Sequence, residues 1–570
     1  MNQSVLQGCF QPRRSRWLAP LVAALLVIAA QGWRLGSAPL SGTEGHRAIT
    51  AHQMAEGGSW VTPHLFGAPY LRKPPFLYWV QATFELALGA SSEWVWRLPS
   101  LLSAAALAAF MAVMARRWFG PAAGWGTAAA FVSLVATWSQ TRSADIDALH
   151  TCVVGVTAMC LIEIGFGRRR THVGWIIAAS LGFAATVMTK GHAGLPLIIG
   201  VYVGASAMNR RWRWLRQPGA WAPILVAVVL TLCWGAAVLH ELGGMAQLDT
   251  RGLSELQDRT FRFSRILASI GAMVLVLLYS LPATFVAAMA WPALKRDRRA
   301  RALAGAAMGG MIVFLLNGVT NPRYGYILLP LAAPLAGAAV AAWHRGWLSS
   351  AQIRSMRMAL TIAAGVMAVT AVVLAATQWS SPVASQVALA IASGFAVTAG
   401  CVAVVMWLRR RVLVGSVLTV MAYVAAATPL GEINDAENWT RSAYAVAPTL
   451  AAAVGDDVVV VSDMIWDKPE LLHYAEVNVI EPVGGLRDET FQPSPGQWML
   501  LSRREWKRWK DQALMFEAPI ELPTHGRGVL LMRWRGALVT DTVDARDVGQ
   551  GDPVVNPSPP DTSGDMSTGD

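Results

Sequence analysis

Five short stretches of this chain carry residue types suited to proton abstraction and anion binding. In Gly42-Thr43-Glu44-Gly45-His46-Arg47, the Glu44 carboxylate could serve as a general base if it faces a cavity; otherwise it is a solvated loop carboxylate. In Arg72-Lys73-Pro74-Pro75, the prolines stop the preceding segment, and the aromatics that follow suit an interfacial helix. Lys73 is then either a cation placed for a phosphate or a snorkelling lysine. Arg142-Ser143-Ala144-Asp145-Ile146-Asp147 offers two carboxylates two residues apart. They could share a divalent metal, one could be a base, or they could cap a helix N-terminus. Met188-Thr189-Lys190-Gly191-His192 and Asn321-Pro322-Arg323-Tyr324 each place one cation at the end of an apolar run. Singly, these cations read as interfacial anchors. Together, Lys73, Lys190 and Arg323 read as a receptor for a lipid-linked phosphate. His46, His52 and His64 show no familiar zinc-ligand spacing, so no residue is assigned to a metal.

The elements that must position these residues are membrane helices. Of 570 residues, 54% are hydrophobic and only 14% charged, with mean hydropathy +0.41. A soluble domain carries about 25% charged residues, so soluble globular and disordered classes are excluded. Lipid leaves backbone polar groups no partner but the segment itself, so each apolar run should be a helix. About 13 spans are expected, at 17–35, 97–115, 121–139, 148–166, 172–189, 192–208, 219–240, 266–290, 302–319, 324–343, 357–378, 384–408 and 412–430. The first follows Arg13, Arg14 and Arg16 and lacks a small-residue cleavage site, so it reads as an anchor helix.

The net charge of +12 sits in short basic clusters between apolar runs. With alternating spans, these clusters fall on one side, which places the N-terminus in the cytoplasm and the C-terminus outside. No nucleic-acid motif accompanies the charge, so membrane lipids rather than nucleic acid are the expected partners. The opposite face then holds the loop 36–96, Arg142 to Asp147, Lys190 and Arg323. Charges placed against the topological bias usually have a function.

Composition changes near residue 435. Asp457 to Val461, Val477 to Ile480, Trp498 to Leu501 and Gly528 to Met532 read as strands separated by helical stretches. The expected organisation is a transmembrane domain over 1–434, a small extracytoplasmic α/β domain over 435–540, and a disordered acidic tail over 541–570. No internal or inverted repeat is visible. Of the five cysteines, Cys152, Cys160, Cys233 and Cys401 lie inside apolar runs and none falls in the C-terminal segment, so neither a disulfide framework nor a Cys-based zinc site is expected there.

Several stretches, taken in order, carry a resemblance. They are Thr43-Glu44 through Trp60-Val61-Thr62-Pro63, Gly67 to Trp79, Trp96-Arg97-Leu98-Pro99-Ser100, Arg142 to Asp147, Thr189-Lys190-Gly191, Arg323-Tyr324 and Leu501 to Trp506. The set resembles the polyprenyl-phosphate-sugar glycosyltransferases of GT-C fold, namely the bacterial aminoarabinose transferases that modify lipid A and the wider protein mannosyltransferase superfamily. The resemblance implies an inverting sugar transfer from a polyprenyl-phosphate donor at the extracytoplasmic face of a bacterial inner membrane. The acceptor would be a lipid A-like glycolipid, another envelope glycan or a protein hydroxyl. No nucleotide sugar is required.

Two positions depart from the family pattern. The family's loop-one acidic pair is Asp-Glu, and this chain has Thr43 before Glu44. The aminoarabinose branch usually has Glu before the Lys-Pro-Pro segment, and this chain has Arg72. Glu44 working with Asp147 is therefore the expected base. Arg72, Lys73, Lys190 and Arg323 would hold the donor phosphate, with Thr43, His46, Arg142, Asp145 and Tyr324 completing the site. The competing classes are a GT-C scaffold that binds a lipid-linked sugar without catalysis, and a lipid-linked sugar transporter.

Overall fold

The computed structural model describes residues 17–134, 140–167, 173–244, 263–281, 283–360, 443–461, 469–480, 493–502 and 529–535, with 362, 369, 506, 516–517 and 520–522. The chain opens with helix α1 (Leu18–Gln31), followed by α2 (Glu44–Ala55). A small hairpin of β1 (His64–Leu65) and β2 (Ala68–Pro69) comes next. Its two-residue loop, Phe66-Gly67, has positive φ at both positions (50° and 79°), the handedness that matches strand twist in a tight hairpin. Helix α3 (Phe76–Leu88) starts after Pro75 and stops at Gly89, whose left-handed conformation caps it.

The long helices follow: α4 (Glu93–Phe119), α5 (Pro121–Val132), α6 (Asp147–Phe166) and α7 (Val173–Lys190), which leads through short helical turns to Asn209. Then come α8 (Pro218–Glu241), α9 (Phe263–Tyr279), α10 (Ala283–Leu294), α11 (Arg298–Leu316), a 3-10 segment Pro322–Leu331 and α12 (Ala332–His344). Among the described residues, six helical stretches are long and apolar enough to cross a membrane: Glu93–Phe119, Asp147–Phe166, Val173–Asn209, Pro218–Glu241, Arg298–Leu316 and Pro322–His344. A bent pair, Ile266–Leu278 with Ala283–Leu294, makes seven if it counts as one span.

The expected spans at 17–35 and 121–139 correspond to the shorter helices α1 and α5, and those at 172–189 and 192–208 run together as Val173–Asn209. The expected spans at 384–408 and 412–430, and all but the start of 357–378, lie outside the described residues.

Downstream, α13 (Ala443–Val454) and α14 (Pro469–Ala475) accompany a five-stranded sheet. Its strands are β3 (Val459–Val460), β4 (Val479–Ile480), β5 (Trp498–Ser502), β6 (Ile520–Leu522) and β7 (Val529–Arg533), in the order β4-β3-β5-β7-β6. β3 runs parallel to β4 and β5, while β7 is antiparallel to β5 and β6. One face of the sheet shares an apolar core with the loop helices: Ile49, Met54, Tyr70 and Tyr78 pack with Val446, Leu450, Leu471, Leu500 and Leu531. A larger core built from α1, α4 to α12 and the 3-10 segment occupies the helical bundle. The two cores meet around α2 and α3, where the charged stretches converge.

Candidate functional site

The site is built around the start of α2 and the start of α6. Glu44 opens α2 and is 6% exposed. Arg97, in the first turns of α4, grips it through Nε to Oε1 and Nη2 to Oε2, each at 3.0 Å. Oε1 also accepts the Ala144 N–H (2.7 Å), and Oε2 the Ser41 N–H (3.1 Å). The same guanidinium donates to the carbonyls of Leu35, Ala38 and Pro39. Glu44 therefore ties three pieces together: the approach to α2, the helix α4, and the segment leading into α6. Arg142 does the same on its own side, donating to the carbonyls of Gln31, Trp33 and Arg34. Gln81 of α3 completes the frame by donating to the carbonyls of Trp96 and Ala144.

This frame holds the two aspartates. Asp145 is 4% exposed and Asp147 is 5% exposed. Asp145 Oδ1 accepts the Ile146 N–H at 2.6 Å. Its Oδ2 accepts the Thr43 hydroxyl and Arg323 Nη2. Arg47 Nε lies 3.7 Å from Oδ1. Asp147 Oδ1 accepts Lys190 Nζ, and its Oδ2 accepts Arg323 Nε. Lys190 also lies over the Tyr324 ring, 5.1 Å from its centroid. Arg47 is fixed from behind by Tyr70 (3.0 Å) and Tyr78 (2.8 Å), whose phenol oxygens accept from Nη1. Three cations thus surround two carboxylates, and Arg323 bridges both.

Burial acts most strongly on Asp145 and pushes its carboxyl pKa upward. The charges of Arg47 and then Arg323, with the Thr43 hydroxyl and the Ile146 N–H, outweigh it and hold the carboxyl well below the usual range. Asp145 is consequently ionised in this arrangement. Burial likewise opposes the charge on Arg47, but Tyr70, Tyr78 and Asp145 keep its guanidinium protonated.

The structure brings together Thr43, Asp145, Asp147, Lys190, Arg323 and Tyr324 from the expected set. Glu44 sits beside this cluster with all its bonding directed to the frame, and Arg142 belongs to the frame as well. His46 is buried, with its ring 5.9 Å from that of Tyr70. Arg72 and Lys73 are partly buried in the stretch between β2 and α3. His52 and His64 face different partners, Glu85 (2.6 Å) and the Thr62 carbonyl (2.7 Å). Among the described residues, no group of three or more His, Cys, Asp or Glu is arranged to hold a metal.

Sequence reasoning did not single out Arg47, Arg97, Tyr70 or Tyr78 as site residues. A usable signal existed for Arg97, a lone arginine entering a long apolar run, where an unpaired charge is costly.

The helical bundle thus carries an outlying sheet and a buried charge cluster where the first long loop meets α6 and the 3-10 segment. Residues 72–235 match the family of dolichyl-phosphate-mannose-protein mannosyltransferases. The chain is 31% identical over 197 residues to the undecaprenyl phosphate-alpha-4-amino-4-deoxy-L-arabinose arabinosyl transferase of Pseudomonas aeruginosa (strain UCBPP-PA14), covering 34% of this chain and 35% of that protein. A second such transferase, from Pseudomonas fluorescens (strain Pf0-1), is 26% identical over 333 residues, covering 56% of this chain and 58% of that one. The chain thus spans about a third of the first of these curated relatives and just over half of the second.

Among solved structures, ArnT from Cupriavidus metallidurans bound to undecaprenyl phosphate superposes with a TM-score of 0.70. The identity is 18%, and 91% of this chain and 98% of that one are covered. Its apo form gives 0.69, with 18% identity and coverage of 90% and 97%. The resemblance drawn from the motifs therefore holds: the chain is similar to GT-C glycosyltransferases of the aminoarabinose-transferase and protein-mannosyltransferase type, and it has their fold.

Proposed function

We propose that this protein transfers a sugar from a polyprenyl-phosphate donor to a hydroxyl of an envelope glycolipid, with inversion, at the extracytoplasmic face of a bacterial inner membrane. The observation that carries this reading is the Thr43 hydroxyl on Asp145 Oδ2, an oxygen shared with Arg323, with Arg47 beside Oδ1 and Lys190 on the neighbouring Asp147. That hydroxyl marks where an acceptor hydroxyl could lie. The acceptor oxygen attacks the anomeric carbon and its proton passes to Asp145. The bond from the anomeric carbon to the phosphate oxygen breaks, and polyprenyl phosphate leaves. Lys190 and Arg323, with Lys73 and Arg72 arriving from the loop, stabilise the leaving phosphate. General-base assistance of this kind contributes about 10²–10⁴-fold.

In this reading Glu44 is a positioning residue and Asp145 is the base. The two Glu44 oxygens already accept from Arg97, Ala144 and Ser41, so their hydrogen bonds are directed to the frame and not to an acceptor. Asp147 orients Lys190 and Arg323. The strand-bearing region over 435–540 forms an extracytoplasmic domain that covers the site, and the N-terminus is cytoplasmic.

The test is mass spectrometry of polyprenyl-phosphate sugars and envelope glycolipids in three strains: a deletion, the deletion carrying the wild-type chain, and the deletion carrying Asp145→Asn. A sugar mass that vanishes on deletion and returns only with the wild type is the expected result. Restoration by Asp145→Asn would remove Asp145 from the base role, and an unchanged glycolipid profile in the deletion would reject the transfer.

A further inference from the structure

The cations best placed for the donor phosphate are already in use. Lys190 is paired with Asp147, and Arg323 spans Asp147 and Asp145. The two aspartate side chains are only 5–6% exposed, whereas the Arg323 side chain is 39% exposed. A phosphate can therefore approach Arg323 from its open side, where it competes with the carboxylates for the guanidinium. Arg47, Lys190 and Arg323 bring three positive charges against the two carboxylates. The surplus charge draws an anion in, yet every phosphate oxygen that nears Lys190 or Arg323 meets an aspartate already bonded there.

We propose that Asp145 and Asp147 compete with the donor phosphate for Lys190 and Arg323, so that phosphate binding is the event that frees Asp145 to accept a proton. This inference rests on the reading of the site given above and adds an order to it. In this arrangement Asp145 accepts from Arg323 and Thr43, and its charge is stabilised by Arg47. It is then a poor base, and a stray hydroxyl gains nothing from it. Once a phosphate draws Arg323 away, Asp145 loses one of its strongest stabilising charges while remaining buried, and its affinity for a proton rises. The donor must then bind before the acceptor is activated. A site in which the carboxylates merely aim the cations makes the opposite prediction, because removing a carboxylate would leave those cations misdirected.

The two possibilities differ in sign, and a binding measurement separates them. The full-length chain in detergent is titrated with undecaprenyl phosphate, with undecaprenol as the uncharged control, for wild type, Asp147→Asn, Asp145→Asn and Lys190→Gln. If the cations are carboxylate-bound for nine-tenths of the time, neutralising Asp147 should tighten phosphate binding about tenfold, since apparent affinity scales with the competent fraction. Asp145→Asn should tighten it less, because Asp145 holds Arg323 but not Lys190, and Lys190→Gln should weaken it. Undecaprenol binding should be the same in all four proteins. The two asparagine variants are independent tests, so a folding failure in one leaves the other. Unchanged or weaker phosphate binding in a folded asparagine variant, with a wild type that binds, overturns the competition but leaves the transfer reading standing. A wild type that prefers undecaprenyl phosphate no more than undecaprenol overturns both.

Discussion

Helix α6 carries a buried charge cluster at each end, and the two clusters are built differently. At its start, Asp147 and the adjacent Asp145 face Arg47, Lys190 and Arg323. Near its other end, Glu163 accepts from Arg117 (3.3 Å to Oε1), Arg299 (3.4 Å to Oε1) and the Trp118 indole (2.7 Å to Oε2). Sixteen residues of helix separate Asp147 from Glu163, roughly 24 Å at 1.5 Å per residue. Glu163 ties α4, α6 and α11 together, and Arg299 lies over the Trp118 ring. Its arginines come from helix ends and its carboxylate is single. The Asp145–Asp147 cluster instead draws on loop residues, has two carboxylates bridged by one arginine, and takes in a hydroxyl from Thr43. Exposure does not separate the two clusters, since Arg117 beside Glu163 is 40% exposed and Arg323 39%; the second carboxylate does. A cation held by Glu163 has no other carboxylate to turn to, whereas Arg323, shared by Asp145 and Asp147, can exchange partners, which chemistry at this position requires.

Substitutions that neutralise one carboxylate in each cluster probe this contrast directly. Asp145→Asn should reduce sugar transfer per folded molecule by about 10²–10⁴-fold; it also leaves Arg47, 5% exposed, without its carboxylate, so the unfolding temperature should drop as well. Glu163→Gln should affect stability alone. It leaves Arg299, 7% exposed, without its counter-charge. Removing one member of a buried pair costs about 3 kcal/mol or more, so the unfolding temperature should drop while transfer per folded molecule stays at the wild-type level. A Glu163→Gln protein that folds normally but cannot transfer sugar would erase the distinction.

Glu44→Gln should fall between these extremes. The amide keeps a carbonyl for Arg97 but loses the charge, and its NH2 group would face either Ala144 N–H or Ser41 N–H, both donors. Transfer should drop about tenfold, equivalent to about 1.4 kcal/mol of lost positioning, without any change in the shape of the pH–rate profile. A lost acid limb in that profile would return the base role to Glu44. Thr43→Val should have a smaller effect. It removes one hydrogen bond to Asp145, worth about 1 kcal/mol, and should move the acid limb upward because the hydroxyl helps keep Asp145 ionised.

The charged residues of the site were legible in the sequence because charge is conspicuous among apolar runs. Lys190, Arg323, Asp145 and Asp147 each stand at the end of a run, and their assembly follows from helices that end at one level. Their pairings were not legible. Glu44 and Asp145 are about a hundred residues apart, and only the packed loop decides that Arg97, rather than an acceptor, occupies Glu44. Arg47 stood in a charged stretch but was given no role, because its partners, Tyr70 and Tyr78, lie just after the hairpin and on α3, which pattern alone cannot bring together. Span positions were readable wherever hydropathy was continuous, as in α4, α6 and α8. They were less readable where the chain bends by 84° between α9 and α10, since hydropathy reports burial in lipid and not direction.

The smallest expected effect concerns how the strand-bearing region docks on the loop. Gly45 of α2 lies so close to α14 that a Cβ there would meet Glu470 Oε2 at 2.7 Å and its backbone N at 3.2 Å. The Tyr474 hydroxyl accepts from the Leu40 N–H and donates to Glu93. Beside these contacts, His473 packs against His52 and Trp96, with ring centroids 5.7 and 5.9 Å apart. The His52 pKa is raised above its ordinary 6.5, first by its hydrogen bond with Glu85, with Glu56 adding to it against burial. That of His473 is lowered, first by burial and then by the His52 charge, which outweigh Glu93, Glu476 and Glu56. Glu85 lies on α3 and Glu56 at the end of α2 with His52, so the His52 shift belongs to the loop helices and not to docking. His473 is the group that docking affects. As pH falls below 6.5, an undocked His473 takes up a proton that the docked form resists, so docking weakens toward acid. Amide hydrogen exchange over residues 469–475, corrected for its intrinsic pH dependence, should quicken below pH 6.5, and His473→Gln should abolish that rise. An acid-side rise that survives in His473→Gln would place the pH response elsewhere, and Asp145, with its carboxyl held far below this window, cannot supply it.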